Sequence, residues 1–298
     1  MSLSVCGRNF KVEGRLVRIA RLDGEPFKFL DKPAIALEGL RHSHSRIDLF
    51  TFIERLPESG PEYAYPWEWD NLAVLRISSF DSWWAKQIGN KTRNMVRLAE
   101  KKGVTVREVP FDNVLVQGIS EIYNETPVRQ GRRFPHFGKD IAVVREEAET
   151  FMDTSVFIGA FLGDELIGFA KLTIDDTYTQ AGVMHIVSLI RHRDKAPTNA
   201  LIAQAVRSCA DRNIPYLTYS SFAYGNKERD SLSDFKERSG FQKVDIPRYY
   251  VPLTPVGSIA YRFRLHHNRV VDYLPERVIA RLRQFRSAWY TRKFPSGG

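Results

Sequence analysis

The stretch from Ser155 to Asp175, SVFIGAFLGDELIGFAKLTID, decides the fold prediction. Two apolar runs flank the dipeptide Gly163-Asp164, and a short Gly-Asp connection between such runs is typical of a β-hairpin. We therefore predict two antiparallel strands that meet at a tight turn. Because both runs are apolar over most of their length, we expect both strands to be buried.

Strands and helices follow one another on both sides of this hairpin. Alternating apolar residues predict strands, and apolar residues three or four positions apart predict amphipathic helices. Before the hairpin, these patterns predict a strand at 104–109 and helices at 111–125 and 139–153. After the hairpin, they predict a strand at 180–190, a helix at 198–213, a strand at 216–221, a helix at 227–240 and a strand at 241–253.

The chain divides into three predicted parts. Residues 1–78 contain short apolar runs separated by turn-rich sequence, so we predict a small β-rich subdomain of short strands and loops. Residues 79–253 hold the main domain, which opens on one or two helices at 79–103 that Ser79 or Asp81 can cap and Gly103 can end. Residues 254–298 form a basic helical segment.

Composition predicts a folded protein in the cytoplasm. The chain has 298 residues, of which 43% are hydrophobic, and this apolar content excludes an intrinsically disordered chain. No run of about 18 apolar residues is present, and the first residues lack the apolar centre of a signal peptide. We therefore expect a cytoplasmic protein. The alternative is a cytoplasmic protein that also binds peripherally to the inner membrane surface.

Metal and nucleophile motifs find little support in the sequence. Cys6 and Cys209 are too few and too isolated for a disulfide framework or a cysteine zinc site. Four histidines in two pairs lack carboxylates at metal-ligand spacing: His42, His44, His266 and His267. The chain has neither a Gly-x-Ser-x-Gly elbow nor a Walker loop. We expect no metal.

Three segments carry a resemblance to a known superfamily. The hairpin segment FIGAFLGDELIGFAKL (157–172) resembles the central hairpin of GNAT acyltransferases, and NKERDSLSDFKERSGFQKV (226–244) resembles their late helix, which carries an aromatic residue and ends in Gly-Phe. The segment KTRNMVRLAEKKGVTVREV (91–109) resembles the start of the second domain of Fem-type aminoacyl and peptidyl transferases. The resemblance implies an α+β fold with a central, mostly antiparallel sheet flanked by helices. It also implies acyl or aminoacyl transfer.

The donor loop departs from the usual GNAT pattern. Most GNAT enzymes hold the pyrophosphate of coenzyme A on a glycine-containing loop after the fourth strand, but the equivalent RHRDKAPTNALI (191–202) has no glycine and contains Pro197. Fem-type enzymes also lack that loop, since their donor is aminoacyl-tRNA. Acetyl-CoA or another acyl-CoA remains an open donor, with aminoacyl-tRNA as the alternative. The candidate donor-binding residues are Arg191, Arg193, Lys195 and Asn199.

A basic, aromatic loop lies between the two helices before the hairpin, where GNAT proteins usually wall the acceptor site. Arginine binds phosphate or carboxylate through two parallel hydrogen bonds, so we expect this loop to bind an anionic acceptor. Its candidate residues are Arg129, Arg132, Arg133, Phe134, His136 and Lys139. The alternative is that Arg129 and Arg132 pair with Glu125, Glu146 and Glu147 and only hold the loop in place.

Four residues are candidates for the chemistry of acyl transfer, which needs a neutral amine, a stabilised oxyanion and a protonated leaving group. His185 is a candidate base, with a satisfied core histidine as the alternative. Lys236 is a candidate for oxyanion stabilisation by resemblance to the Fem-type Phe-Lys motif, with a surface lysine as the alternative. By resemblance to GNAT enzymes, which often keep on this strand a tyrosine that protonates the leaving group, Tyr249 and Tyr250 are candidates for that role, and only one of these neighbours should face inward.

The end of the chain carries much of the positive charge. An apolar stripe from Leu274 to Trp289 is flanked by arginines, which suits a helix that lies on a membrane, docks on its own domain or follows tRNA phosphates. Overall, we expect an acyltransferase acting on an amine of an anionic acceptor, such as a cell-envelope or nucleotide-sugar precursor. The alternatives are an acetyl-CoA-dependent N-acetyltransferase of an amino sugar or small metabolite, and a non-catalytic nucleic-acid or membrane-surface module.

Overall fold

The computed structural model describes residues 1–57, 60–129, 131–223 and 231–267, and its main feature is one mixed sheet of eleven strands. The sheet strands are β1 (Ser2–Val5), β2 (Arg8–Glu13), β3 (Ile19–Leu22), β4 (Leu49–Ile53), β5 (Trp67–Arg76), β6 (Val104–Val109), β9 (Ser155–Leu162), β10 (Glu165–Ile174), β11 (Gln180–Ser188), β12 (Tyr216–Thr218) and β13 (Gln242–Pro252). Two short strands, β7 (Val128–Arg129) and β8 (Arg132–Arg133), pair separately. The sheet order is β1-β2-β3-β4-β13-β5-β12-β11-β10-β9-β6.

Helices cover the sheet on two faces. They are α1 (Pro33–Arg41), α2 (Phe80–Ser82), α3 (Asn90–Lys101), α4 (Asn113–Asn124), α5 (Ile141–Ala148), α6 (Pro197–Asp211), α7 (Ser231–Arg238) and α8 (Pro255–Arg262). Helices α4 and α5 pack on one face, whereas α3 and α6 pack together on the other. A large apolar core lies between these helices and one region of the sheet, which consists of strands β5, β6, β9, β10, β11 and β12.

The predicted hairpin and fold class are confirmed. Strands β9 and β10 pair antiparallel from Leu162 and Glu165 outward, on either side of the Gly163-Asp164 turn, and β11 adds a third antiparallel strand. The sheet is mostly antiparallel, with parallel pairing between β3 and β4 and between β11 and β12. Ser79 caps α2 by accepting the N–H of Ser82, as its position predicted.

The N-terminal region differs from its sequence prediction in two places. Helix α1 was not predicted, although Pro33 at its start and apolar residues at helical spacing were visible signals. Strand β5 begins at Trp67, inside a segment that we predicted as a turn, because antiparallel pairing with β13 holds this polar stretch in extended conformation. Tertiary pairing overrides local composition here.

The sheet runs without a break across residue 78. Strands β4 and β5, which precede that residue, flank β13 on both sides. An aromatic cluster of the N-terminal region packs around Tyr249 of β13. The two predicted parts therefore share one sheet. The predicted helix over residues 274–289 lies outside the described residues, and within the described part no helix is both long and apolar enough to cross a membrane.

Candidate active site

Strands β11 and β12 separate near the middle of the sheet. They pair in parallel over only three residue pairs, from Gln180 to Gly182 on β11. Strand β11 then continues to Ser188, whereas the chain after β12 pairs with β5, where the N–H of Tyr219 donates to the carbonyl of Ala73 at 2.9 Å. The two strands therefore part, and within the residues that the structure describes β11 has no neighbouring strand on that side beyond Gly182.

His185 lies on β11 where the strands part, next to a β-bulge. The bulge moves the pairing with β10 by one residue, so that His185 lies opposite Lys171 while Val183 lies opposite Leu172. Burial, followed by the charges of His136 and Lys171, lowers the pKa of His185 to about 4. The imidazole is therefore neutral at pH 7.

The basic loop closes over His185 through His136. The two imidazole centroids are 5.9 Å apart, and the His136 ring stacks on Tyr123 of α4 at 4.4 Å. Nδ1 of His136 lies 3.3 Å from the Glu147 carboxylate, which also forms an ion pair with Lys139. The structure thus brings together three predicted residues, His136, Lys139 and His185, with Tyr123 and Glu147 as their partners.

Arg129 holds the loop onto the sheet. Its guanidinium donates to the carbonyl of Ser188 at 2.7 Å, to the carbonyl of Ile122 at 2.8 Å and to the carboxylate of Glu125 at 3.1 Å. It also lies over the ring of Phe134, 4.8 Å from the centroid. The pairing with Glu125 that we gave as the alternative role of Arg129 is therefore present.

Arg132 and Arg133 differ from Arg129 in being exposed. Both lie on β8, the short strand that pairs with β7 in the same loop. Their guanidinium groups can therefore reach a ligand from solvent without first breaking the contacts that hold the loop.

A carboxylate already occupies the backbone donors at the end of β11. The N–H groups of Ile190 and Arg191 donate to the two oxygens of Glu125 at 2.7 and 2.9 Å. The predicted donor loop forms a 3₁₀ turn, Ile190–Lys195, and α6 follows with Pro197 as its first residue. These amides are therefore not free to bind a phosphate.

The four predicted donor-binding residues have different surroundings. The side chain of Arg191 pairs with Glu165, and Arg193 is exposed. Lys195 lies 3.4 Å from Asp194. Asn199 is in the first turn of α6, where its N–H donates to the carbonyl of Ala196 at 3.1 Å.

Lys236 is fully buried on α7. Its Nζ donates to the carbonyl of Ser221 at 2.7 Å and lies 4.7 Å from the centroid of the Tyr219 ring. Both partners belong to the chain that leaves β12 where it parts from β11. Lys236 therefore binds, from α7, the chain that follows β12. It is not the surface lysine that we gave as the alternative.

Tyr249 and Tyr250 point to opposite faces, as alternation requires. Tyr249 stacks on Phe52 at 4.7 Å in the N-terminal aromatic cluster, and its hydroxyl donates to Glu54. Tyr250 packs against His266 at 4.4 Å. Within the described residues, the structure therefore places Lys236, Tyr249 and Tyr250 in three neighbourhoods apart from the contacts of His185.

Sequence reasoning missed Lys171, which is fully buried on β10 opposite His185. Its Nζ donates to the carbonyl of Ala148 at 2.8 Å and to both oxygens of Thr150, and burial lowers its pKa to about 8. These acceptors match the three hydrogens of an ammonium group. The signal was available in the sequence, because a lysine inside the apolar run GFAKLTI must be buried with partners.

A separate cavity of about 920 Å³ lies between β6, the start of α4 and the hairpin turn. Its wall includes Arg107, Arg145, Leu166 and Glu165. Glu165 also pairs with Arg191, but none of the residues predicted for chemistry lines this cavity. The volume is therefore not part of the site around His185.

Comparisons with known proteins bear on the fold. No protein-family model matches the sequence, and no curated protein sequence matches it at a significant level. FemX superposes with a TM-score of 0.58 at 12% identity, covering 86% of this chain and 85% of that chain. The C-terminal domain of a proposed lysylphosphatidylglycerol synthetase from Agrobacterium fabrum gives 0.57 at 12%, covering 88% and 86%. L-PGS from Bacillus licheniformis gives 0.57 at 12%, covering 90% and 89%. The chain therefore shares the fold of these three structures.

Proposed function

We propose that this protein is a transferase that moves an aminoacyl group from aminoacyl-tRNA to an amine on an anionic acceptor. The observation that carries the proposal is the bond between Glu125 and the N–H groups of Ile190 and Arg191. A GNAT enzyme that uses coenzyme A needs backbone donors at this place for its pyrophosphate. Here a carboxylate of the chain takes them.

The negative charge of Glu125 at these amides also opposes a pyrophosphate. Glu125 is held by Arg129 and lies beside Arg191, whose guanidinium pairs with Glu165. A pyrophosphate would have to displace Glu125 or lie beside its negative charge, and like charges at such distances repel. The donor is therefore one that does not rely on this loop, which supports aminoacyl-tRNA over acyl-CoA.

The exposed arginines of the loop support an anionic acceptor. Arg132 and Arg133 extend from the same loop that carries His136 to His185. Because their side chains are exposed, they can pair with a phosphate or carboxylate of the acceptor. One similar structure is named for lysylphosphatidylglycerol, the product of joining a lysyl group to the anionic lipid phosphatidylglycerol, which supports an anionic acceptor for an aminoacyl group.

The proposed chemistry uses the two diverging strands. The amine of the acceptor attacks the ester carbonyl of the donor, a C–N bond forms, the ester C–O bond breaks, and the proton of the amine passes to the leaving oxygen. Neutral His185 keeps a lone pair that can accept a hydrogen bond from the amine. By resemblance to the Fem-type Phe-Lys motif, Lys236 of α7, which donates to the carbonyl of Ser221 on the chain that leaves β12, is proposed to stabilise the oxyanion.

The test is a transfer assay with purified full-length protein. A tRNA pool charged with labelled amino acids is compared with labelled acetyl-CoA as donor, each with vesicles of phosphatidylserine, an anionic lipid that bears an amine, and with an amine-bearing nucleotide precursor of the cell envelope. We expect label on an acceptor only from tRNA. We also expect loss of transfer in the Arg132→Ala/Arg133→Ala double variant.

Two further measurements complete the test. The matched control is Arg41→Ala/Lys102→Ala, which removes two exposed charges elsewhere and should transfer like the wild type. Titration calorimetry with coenzyme A and acetyl-CoA measures whether the protein binds the competing donor. Micromolar binding that depends on the acetyl group would replace this proposal by the acetyl-CoA-dependent N-acetyltransferase.

One observation favours a second candidate, the non-catalytic nucleic-acid or membrane-surface module. That alternative predicts that His185, Lys236 and the two tyrosines do not converge, and Lys236, Tyr249 and Tyr250 have their contacts in neighbourhoods apart from His185. It further predicts retention of tRNA with a steep salt dependence and no turnover. The same assay, run with a tRNA-binding measurement at two salt concentrations, decides between the two functions.

A further inference from the structure

A second cluster of titratable side chains lies at the other end of β5, away from His185. Glu68 is on β5, and His266 and His267 follow α8 at the end of the described chain. Nε2 of His266 is 3.2 Å from one carboxylate oxygen of Glu68, and Nε2 of His267 is 2.7 Å from the other. All three ligand atoms lie within 4.8 Å of one another. We expected no metal at these histidines because no carboxylate is near them along the chain.

One side of the cluster is buried against aromatic rings, and the other side is open to solvent. The side chain of His266 is completely buried, with its ring 4.4 Å from that of Tyr250 and 5.4 Å from that of Tyr261. The side chains of Glu68 and His267 are 24% and 35% exposed. An ion from solvent can therefore reach the three ligand atoms, while the tyrosine rings hold His266 in place.

The second nitrogen of His266 sets its orientation. Nδ1 lies 3.3 Å from the carbonyl of Ala260 in α8, and a carbonyl can only accept. A neutral ring that donates from Nδ1 has its lone pair on Nε2, pointing at the carboxylate of Glu68. Two lone pairs then face each other, and a cation between them satisfies both. A carbonyl behind a ligating histidine is the usual support of a metal site.

We propose that Glu68, His266 and His267 bind one divalent transition-metal ion of the Zn²⁺ class. Two imidazoles and a carboxylate are ligands that zinc accepts. Ligands about 2.1 Å from a tetrahedral zinc lie about 3.4 Å apart, close to the 3.2 Å between His266 and Glu68. The open side leaves a fourth position for water or another ligand. The ion fastens the segment after α8 to β5, across almost 200 residues of chain.

The test uses Co²⁺ as a visible stand-in for zinc, on the full chain after treatment with a chelator. We expect about one Co²⁺ per chain, with the absorption of a low-symmetry site, and displacement by Zn²⁺. His267→Ala and Glu68→Gln should each weaken Co²⁺ binding about tenfold or more, since even a supporting residue is worth that much. Added Zn²⁺ should raise the Tm of the wild type and leave that of both variants unchanged.

The matched control is His42→Ala, which removes an exposed histidine 3.8 Å from Glu38 and should bind Co²⁺ like the wild type. His266 is left intact in the test because its burial makes any replacement a risk to folding. Absence of bound Co²⁺ in the wild type overturns the proposal. Equal binding by the wild type and both partly exposed variants, each shown to be folded by circular dichroism, overturns it as well. None of these measurements depends on transfer activity.

Discussion

The carboxylate of Glu125 accepts the N–H of Arg191 at 2.9 Å, across 66 positions of the chain. The same carboxylate accepts the N–H of Ile190 and pairs with the guanidinium of Arg129. One side chain at the end of α4 therefore joins the basic loop to the turn that follows β11. The contact supports the proposed choice of donor and also links the loop proposed to bind the acceptor to the turn predicted to bind the donor.

Replacing Glu125 should destabilise the protein more than replacing a neighbouring acid. Glu125→Ala leaves two N–H groups and Arg129 without their shared partner, so the free energy of unfolding should fall by about 1–3 kcal/mol. Urea denaturation measures this change. Glu121→Ala, on the exposed side of the same helix with Gln117 as its partner, is the control and should change stability by less than about 0.5 kcal/mol. Equal effects would contradict the linking role of Glu125.

His185 should make stability depend on pH. Its pKa is lowered from 6.5 to about 4 in the folded protein, so the unfolded state binds more protons between these values. Its stabilising contribution is complete above pH 6.5 and is lost as the pH falls toward 4. Between pH 7 and 5 the wild type should lose about 2 kcal/mol that His185→Gln does not lose. Urea denaturation at both pH values, with His42→Gln as the exposed control, tests this. An equal loss of unfolding free energy in the wild type and in His185→Gln would refute it.

Tyr249 should matter for stability and not for transfer. Its hydroxyl accepts the N–H of Glu62 at 2.9 Å and of Tyr63 at 3.3 Å while it donates to Glu54. Burial, with the bond to Glu54, raises its pKa to about 12. Tyr249→Phe should lower the free energy of unfolding by about 1–3 kcal/mol, measured by urea denaturation, and leave kcat unchanged. A fall in kcat without loss of stability would instead show that Tyr249 protonates the leaving group.

Tyr250→Phe is the companion variant on the same strand. The ring of Tyr250 packs against those of His266, Tyr261 and His267, with centroids 4.4, 6.2 and 6.1 Å away, and phenylalanine keeps that ring. We therefore expect a smaller loss of stability than for Tyr249→Phe, measured under the same conditions. A larger loss would show that the hydroxyl of Tyr250 stabilises the fold more than the hydroxyl of Tyr249 does.

The arginines of the basic loop should separate into structural and ligand-binding residues. Arg129→Ala removes three hydrogen bonds of a largely buried guanidinium and leaves Glu125 with one partner fewer, so it should cost roughly 3 kcal/mol of stability. Arg132→Ala removes an exposed side chain and should cost less than about 0.5 kcal/mol. Denaturation midpoints check the stability of both variants. KM for the acceptor checks the assignment of Arg132 as a ligand-binding residue. A stable Arg129→Ala protein with only a raised KM would reverse the assignment.

Sequence patterns were sufficient for the elements whose signals are local. The hairpin from β9 to β10 follows from two apolar runs around Gly163-Asp164, and the cap of α2 follows from the position of Ser79. Burial of Cys209 follows from its place in the apolar stripe of α6. Each of these depends on residues within one or two turns of one another. Because backbone geometry alone relates such residues, the pattern in the sequence already contains the answer.

The candidate site depended on contacts between distant parts of the chain. The sequence by itself determined the fold class, the order of the main elements from residue 104 onward and the presence of a basic loop before the hairpin. Only the tertiary structure decided that Lys171 lies opposite His185, that Glu125 occupies the amides after β11, and that Glu68 meets His266 and His267. Sheet register and loop closure set these distances, and both arise from the packing of the whole core, which no local pattern encodes.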